Sequence, residues 1–154
     1  MKTRRWLVDA ATVAGSALLV ALAFVLLRRD DPPPVPPPGS VASVDVDLAA
    51  IPERQSAFAT TSVDGPRVEA LAAVARAGKA AEDHKCSDSG SLTFHQKDGS
   101  VVVLNLLAGH DRRYYEFRTT GVQDGIYRVD RAPLQQALSA LGAGPLDPGL
   151  PNPK

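Results

Sequence analysis

The chain has 154 residues, of which 17 are Lys or Arg and 17 are Asp or Glu, so its formal net charge is zero. Beyond residue 40 there are 12 basic and 14 acidic residues, a balance that excludes the basic footprint of a nucleic-acid-binding protein. Cys86 is the only cysteine, so the folded part must be stable without an internal disulfide. We therefore expect no nucleic-acid partner.

The apolar stretch from Trp6 to Leu27 is the most strongly marked segment, and Asp9 is its only charged residue. As a helix, this stretch would extend about 33 Å, enough to cross the hydrocarbon core of a bilayer. Three basic side chains precede it and two follow it directly, which favours a cytosolic amino terminus. The sequence therefore predicts a cytosolic stub at 1–5 and a single-pass transmembrane signal-anchor helix at 6–27 in contact with the lipid bilayer. The carboxyl-terminal domain would then be extracytoplasmic.

A cleaved export signal is the alternative for the same stretch. Basic residues followed by an apolar run also describe the front of a secretory signal peptide, and Ala21-Leu22-Ala23 has the form of a cleavage site. The apolar run continues through Leu27 before any polar residue, which favours the uncleaved anchor.

Residues 28–63 are predicted to be a proline-rich spacer followed by an extended arm. Six of the seven residues from Pro32 to Pro38 are proline, a composition typical of a polyproline II rod that would hold the next domain away from the membrane. Val44–Leu48 alternates apolar and polar residues, so this part of the arm is either a short strand or a continuation of the linker.

A soluble α+β domain is predicted over residues 64–142, followed by a tail at 143–154 that is rich in Pro and Gly and predicted to be disordered. Asp64-Gly65-Pro66 has the composition of a helix start, and we expect this helix to run from about 66 to 82. A closing helix is expected over Pro133–Leu141, where apolar residues recur at helical spacing.

Four strands are predicted between the two helices. Asp98-Gly99 marks a tight hairpin between the first two of them. The strands are placed at Ser91–Gln96, Val101–Leu107, Arg112–Thr119 and Gly125–Asp130. The predicted fold is therefore one transmembrane helix followed by a small α+β domain, in which helices pack on one face of a four-stranded antiparallel sheet.

The densest group of polar and aromatic side chains lies on the third predicted strand. Alternation along the strand puts Tyr115 and Phe117 on the core side and the charged residues on the other side. Aromatic and Arg side chains on one strand face are typical of protein interfaces. The predicted interaction patch consists of Arg112, Tyr114, Glu116, Arg118 and, on the next strand, Arg128. The alternative is a solvated sheet face with cross-strand ion pairs.

Cys86 and three histidines are the candidates for chemistry. Cys86 lies beside Lys85 and His84 in a polar loop, where positive charge favours the thiolate, so it is a candidate reactive thiol. A thiol- or His-dependent enzyme or a metal-handling domain would combine Cys86 with His84, His95 or His110.

Two absences argue against that chemistry. The spacing of these four residues fits no familiar metal motif, and the chain contains no GxSxG, SxxK, Walker or GxGxxG sequence. We therefore expect no metal and no cofactor. The favoured hypothesis is a non-enzymatic protein that presents its domain to a membrane or envelope protein partner, and the enzyme or metal-handling domain is the alternative.

Overall fold

The computed structural model describes residues 32–49, 57–107, 111, 113–120 and 124–144. These residues form seven strands and two helices. The strands are β1 (Val41–Leu48), β2 (Phe58–Ser62), β3 (Lys79–Ala81), β4 (Asp88–Gln96), β5 (Val101–Leu107), β6 (Tyr114–Thr119) and β7 (Gly125–Asp130). The helices are α1 (Gly65–Arg76), between β2 and β3, and α2 (Arg131–Ala140), after β7.

All seven strands pair antiparallel in one sheet with the order β2-β1-β4-β5-β6-β7-β3. β4 to β7 form the meander that the sequence predicts, and Gly99 has the positive φ of 86° that the β4–β5 hairpin turn requires. β1 and β2 extend the sheet beyond β4, while β3 extends it beyond β7. The sheet therefore has seven strands instead of the predicted four.

The predicted fold, one transmembrane helix followed by a four-stranded sheet, is therefore wrong. The described residues contain no helix that is both long enough and apolar enough to cross a membrane, which corrects the single-pass transmembrane character expected for the chain. The predicted signal-anchor at 6–27 lies outside these residues.

Two sequence signals were too weak to predict the additional strands. β2 is rich in Thr and Ser and becomes a strand by pairing with β1 over five residues, Leu48↔Phe58 to Val44↔Ser62. The helix predicted to reach residue 82 ends at Arg76, and three residues that were assigned to it form β3. Gly78 follows this end and allows the chain to pass close to the sheet, because an ideal Cβ there would lie 3.2 Å from the Phe117 ring. The chain thus turns against the sheet and joins its edge.

Both helices pack on the same face of the sheet, which we call the inner face. The Asp64 side chain caps α1 by accepting a hydrogen bond from the Arg67 backbone N–H at 3.3 Å. Helical spacing then buries Val68, Leu71, Ala72 and Ala75 of α1. They meet buried residues of α2 and of the inner face, which include Leu134, Leu138, Val44, Val46, Leu92, Phe94, Leu104, Tyr115, Phe117 and Val129.

The proline-rich segment packs against this domain. Pro33 and Pro36 are buried, and Val35 contacts the core. The carbonyl of Pro36 accepts a hydrogen bond from Arg76 Nη1 at 2.8 Å, and the Arg76 guanidinium is also paired with Glu69. Residues 32–40 therefore belong to the folded unit and cover one side of α1.

The chain crosses the sheet twice, once on each face. α1 connects β2 at one edge with β3 at the other along the inner face. Residues 82–87 then return from β3 to β4 across the opposite, outer face, and we call this segment the strap. β3 and β4 are four strand spacings apart, about 19 Å. The seven Cα steps from Ala81 to Asp88 reach about 23 Å, so the strap is nearly fully extended.

Candidate functional site

The residues of the predicted interaction patch lie on the outer face, but they do different things. Tyr114, Glu116 and Arg118 share the outer side of β6, and Glu116 is paired in register with Arg128 of β7. Arg112 lies outside the described residues. Tyr114 is half-buried and Arg128 is exposed, whereas Glu116 is only 6 % exposed. These four residues therefore do not form a single solvent-facing patch.

Glu116 and Arg118 hold the strap. Glu116 Oε2 lies 3.0 Å from His84 Nε2, and Glu116 Oε1 accepts from Arg128 Nη2 at 3.1 Å. Arg118 Nη2 donates to the backbone carbonyl of His84 at 3.1 Å, and Arg118 Nη1 lies 3.9 Å from Asp88. Buried carboxylates need charged or hydrogen-bonding partners, and Glu116 finds two. These side chains therefore tie the strap to β6 and β7.

Two apolar side chains are also buried on the outer side. Leu107 pairs with Glu116 and Ile126 pairs with Arg118 in the strand registers, so both belong to the outer face. Their relative exposures are nevertheless 0 % and 3 %. The strap crosses this region of the sheet, and its attachment to Glu116 and Arg118 places chain over these side chains. The outer face thus has a small apolar layer of its own.

A groove of about 740 Å³ lies at the corner of the sheet where α1 ends and β3 begins. Its lining combines Tyr114 and Arg128 of the sheet with small side chains of α1. The complete lining is Ala73, Val74, Ala77, Lys79, Ala80, Tyr114, Arg128, Asp130 and Pro133. We call this site the corner groove. Its volume lies within the range of ligand-binding clefts, about 300–1,000 Å³.

Two guanidinium groups lie close to the Tyr114 ring. The Arg113 guanidinium lies 5.4 Å from the ring centroid, and the Arg128 guanidinium lies 5.3 Å from it. Distances below about 6 Å are those of cation–π contacts. Asp111 pairs with Arg113 at 3.2 Å, and hydrogen bonds from Arg113 lower the pKa of Asp111. These contacts therefore orient the ring where it lines the groove.

Lys79 and Asp130 supply the remaining charges of the corner groove. Both are exposed, and within the described part of the chain neither makes an ion pair. Asp130 also makes no capping hydrogen bond at the start of α2. An ammonium and a carboxylate are thus available to a bound molecule, beside the apolar surface of Ala73, Val74 and Pro133.

A second polar cluster lies on the outer face at the other end of the sheet. Asp45 Oδ1 accepts from the Thr61 hydroxyl at 2.7 Å, and Asp45 Oδ2 lies 2.7 Å from His95 Nε2. The hydrogen bond from Thr61, followed by that from His95, lowers the pKa of Asp45. Because the hydroxyl donates to the carboxylate and not to the imidazole, the cluster lacks the nucleophile–base contact of a catalytic triad. It joins β2, β1 and β4.

The structure does not bring Cys86 and the histidines together. Cys86 and His84 lie on the strap, whereas His95 lies about 23 Å along β4 from Asp88, and His110 is outside the described residues. Across the described ranges, no group of three or more metal-ligating side chains occurs. The predicted thiol or metal site therefore has no assembled counterpart in this part of the chain.

Several residues of the corner groove were not predicted from the sequence. Lys79, Ala73 and Ala77 belong to a helix end and an edge strand whose meeting depends on the whole sheet. The available signal was the loss of the apolar stripe of α1 after Ala75, which marks the end of the packed helix.

Comparison of the chain with protein-family models, curated proteins and solved structures finds no match. Function is therefore inferred from the geometry of the site.

Proposed function

We propose that this protein is a non-enzymatic interaction protein whose α+β domain binds an extended segment of a partner protein in the corner groove. The observation that carries the proposal is the composition of that groove. It combines exposed small apolar side chains, an oriented aromatic ring and two charges without ion-pair partners in the described chain. Clefts that combine apolar surface with a few convergent polar groups are typical of binding sites.

The lining favours a particular kind of segment. Ala73, Ala77 and Pro133 leave space for aliphatic side chains, because their own side chains are short. The Lys79 ammonium would pair with an acidic residue of the segment, and the Asp130 carboxylate with a basic one. We therefore propose a segment in which an acidic residue and a basic residue flank small aliphatic residues.

The open edge of β3 supports an extended conformation for this segment. Among the described strands, β3 pairs with β7 on one side only and stands at the end of the sheet order. The backbone groups of such an edge can pair with an incoming strand, while side-chain pockets beside it supply specificity. Lys79 and Ala80 belong both to this edge and to the groove, so one segment can use both. A membrane or envelope protein as the partner stays a prediction.

Selection from a random peptide library tests the proposal. The full chain is immobilised, in mild detergent because of its apolar stretch at 6–27, and bound peptides are sequenced. Ala73→Trp fills the groove, whereas Ala70→Trp makes the same change at an exposed α1 position outside it. We expect enriched peptides that bind wild type and Ala70→Trp but not Ala73→Trp. Peptides that bind all three proteins equally would refute the proposal.

A further inference from the structure

His84 is placed so that both of its ring nitrogens face oxygen acceptors. Nδ1 lies 3.0 Å from the backbone carbonyl oxygen of Glu82, and Nε2 lies 3.0 Å from Glu116 Oε2. A neutral imidazole has one N–H, so it can donate to only one of these oxygens. An imidazolium has two, and it satisfies both contacts. The geometry around His84 therefore fits its doubly protonated form.

The same carboxylate connects His84 to the corner groove. Glu116 Oε1 accepts from Arg128 Nε at 3.3 Å and from Arg128 Nη2 at 3.1 Å. The Arg128 guanidinium in turn lies over the Tyr114 ring, and both residues line the groove. Glu116 is only 6 % exposed, so its carboxylate depends on these two partners for compensation of its charge. A contiguous series of charged contacts thus runs from the strap to the groove wall.

We propose that His84, Glu116 and Arg128 form a relay that makes the wall of the corner groove respond to pH. Protonated His84 shares the negative charge of Glu116, and this leaves more of the positive charge of Arg128 available to the groove. The consequence for binding rests on the proposed function: the proposed segment binds more tightly through its acidic residue when His84 is protonated.

The sign of the effect follows from the charges around His84 in the described chain. These are Glu116 and Arg118 of β6, Arg128 of β7, Asp88 of β4, and Glu82, Asp83 and Lys85 of the strap. Loss of the His84 proton at higher pH removes one positive charge from this group. His84 then gives up one of its two hydrogen bonds, and Arg128 alone compensates the charge of Glu116. The affinity for the proposed segment falls on the order of fivefold, which is the lower end of measured couplings between sites.

The relay itself is tested without a ligand. NMR spectra of the full chain in mild detergent are recorded between pH 5 and 8, following the Tyr114 ring, the Arg128 Nε–H and, as a control on the inner face, the Tyr127 ring. We expect the Tyr114 and Arg128 signals to shift together with the titration of His84, while Tyr127 does not shift with it. Signals of Tyr114 and Arg128 that do not follow His84 would overturn the proposal.

Three variants separate the relay from a general effect of pH. His84→Gln removes the titrating group but keeps a hydrogen-bond donor, and His84→Lys keeps a positive charge throughout this range. In both we expect the pH-dependent shifts of Tyr114 and Arg128 to disappear. His95→Gln removes the other described histidine, at the far end of the sheet, and should leave the shifts unchanged. The relay would be contradicted if the shifts disappear in His95→Gln, and equally if they persist in His84→Gln.

Affinity measurements distinguish the relay from the proposed function. The probe is a peptide that is enriched by the library selection and contains an acidic residue, and its affinity is measured at pH 5.5 and pH 8. If the peptide binds with equal affinity at both values, the coupling is wrong and the proposed function stands. If no peptide is enriched but the NMR shifts follow His84, the relay stands and the proposed function is wrong.

Discussion

Asp45 illustrates how single side chains join neighbouring strands of this sheet. Its carboxylate accepts from Thr61 of β2 and contacts His95 of β4, so it bridges both neighbours of β1. These hydrogen bonds, with that of Thr61 the larger cause, hold the pKa of Asp45 below its ordinary value. Because folding lowers this pKa, ionised Asp45 stabilises the folded state above about pH 4. That contribution is lost as the pH falls through the lowered folded value.

Thr61→Val tests this assignment. Valine keeps the shape and β-propensity of threonine but removes the hydroxyl donor, so we expect the pKa of Asp45 to rise toward its ordinary value. The stability difference between variant and wild type should shrink as acid protonates Asp45 in both proteins. NMR titration of the Asp45 carboxyl carbon and urea unfolding at several pH values measure the two effects. An unchanged Asp45 titration would show that Thr61 does not stabilise the carboxylate.

At Gly90, the backbone of β4 lies very close to the backbone of β1. An ideal Cβ there would lie 2.4 Å from the Asp47 carbonyl oxygen and 2.9 Å from Leu48 Cα, and φ is 155°. We expect Gly90→Ala to destabilise the fold by about 2–3 kcal/mol, because β1 and β4 must separate to accommodate the methyl group. Gly65→Ala is the matched control: it meets no atom within 4 Å and should be neutral or stabilise α1 by up to about 1 kcal/mol. Equal unfolding midpoints in urea for the two variants would contradict this account of Gly90.

At the scale of elements, the local sequence pattern predicted the four strands of the meander, β4 to β7. β4 and β5 carry strong apolar patterns joined by an Asp-Gly turn, and they were placed within three residues of their observed bounds. β3 is three residues long and owes its conformation to pairing with Arg128–Ile126, which no local pattern encodes. The outer face could be identified by alternation, but the strap that covers part of it results from the order of strands in the sheet.

Arg118 tests how the strap is held. Arg118→Met keeps the long aliphatic stem but removes the hydrogen bond to the His84 carbonyl and the contact with Asp88. We expect faster hydrogen exchange in residues 82–87, on the order of tenfold, with little change in global stability, because local opening costs less than unfolding. Arg67→Met removes an exposed ion pair on α1 and serves as the control. Identical exchange of residues 82–87 in both variants would show that Arg118 does not hold the strap.

At the scale of the whole molecule, the folded unit begins before residue 64. β1 supplies Val44, Val46 and Leu48 to the core, and residues 32–40 cover α1. The sequence predicted a spacer and extended arm here, because the proline-rich segment has no periodicity that reveals packing and the alternation at Val44–Leu48 fitted a short strand and a linker equally well. Their role depends on contacts with α1 and β4, which are distant along the chain.

Two fragments test this boundary. A fragment of residues 64–142 lacks β1 and β2, exposes Leu92 and Phe94 beside a new edge, and should not unfold cooperatively. Burial of each such side chain contributes about 1.5–3 kcal/mol, a large part of the stability of a small domain. A fragment of residues 32–144 should show a single cooperative transition in urea, followed by circular dichroism. Cooperative unfolding of the shorter fragment at the same midpoint would contradict the boundary.

Only some residues of the corner groove were predicted from the sequence. Tyr114 and Arg128 were predicted as recognition residues from their types and strand positions, and both line the groove. Glu116 and Arg118 were predicted with them, but the side chains of both contact His84 of the strap. The α1 wall could not be predicted, because Ala73 and Ala77 acquire their role only where the helix end meets the sheet edge.

The most direct measurement is the affinity of a library-selected peptide for four forms of the full chain, determined by calorimetry at one pH. The forms are wild type, Ala73→Trp, Ala70→Trp and Tyr114→Ala. We expect Ala73→Trp and Tyr114→Ala to weaken binding more than tenfold, because one fills the corner groove and the other removes its aromatic wall, while Ala70→Trp binds as wild type. Equal affinity for all four forms would show that the corner groove is not the binding site.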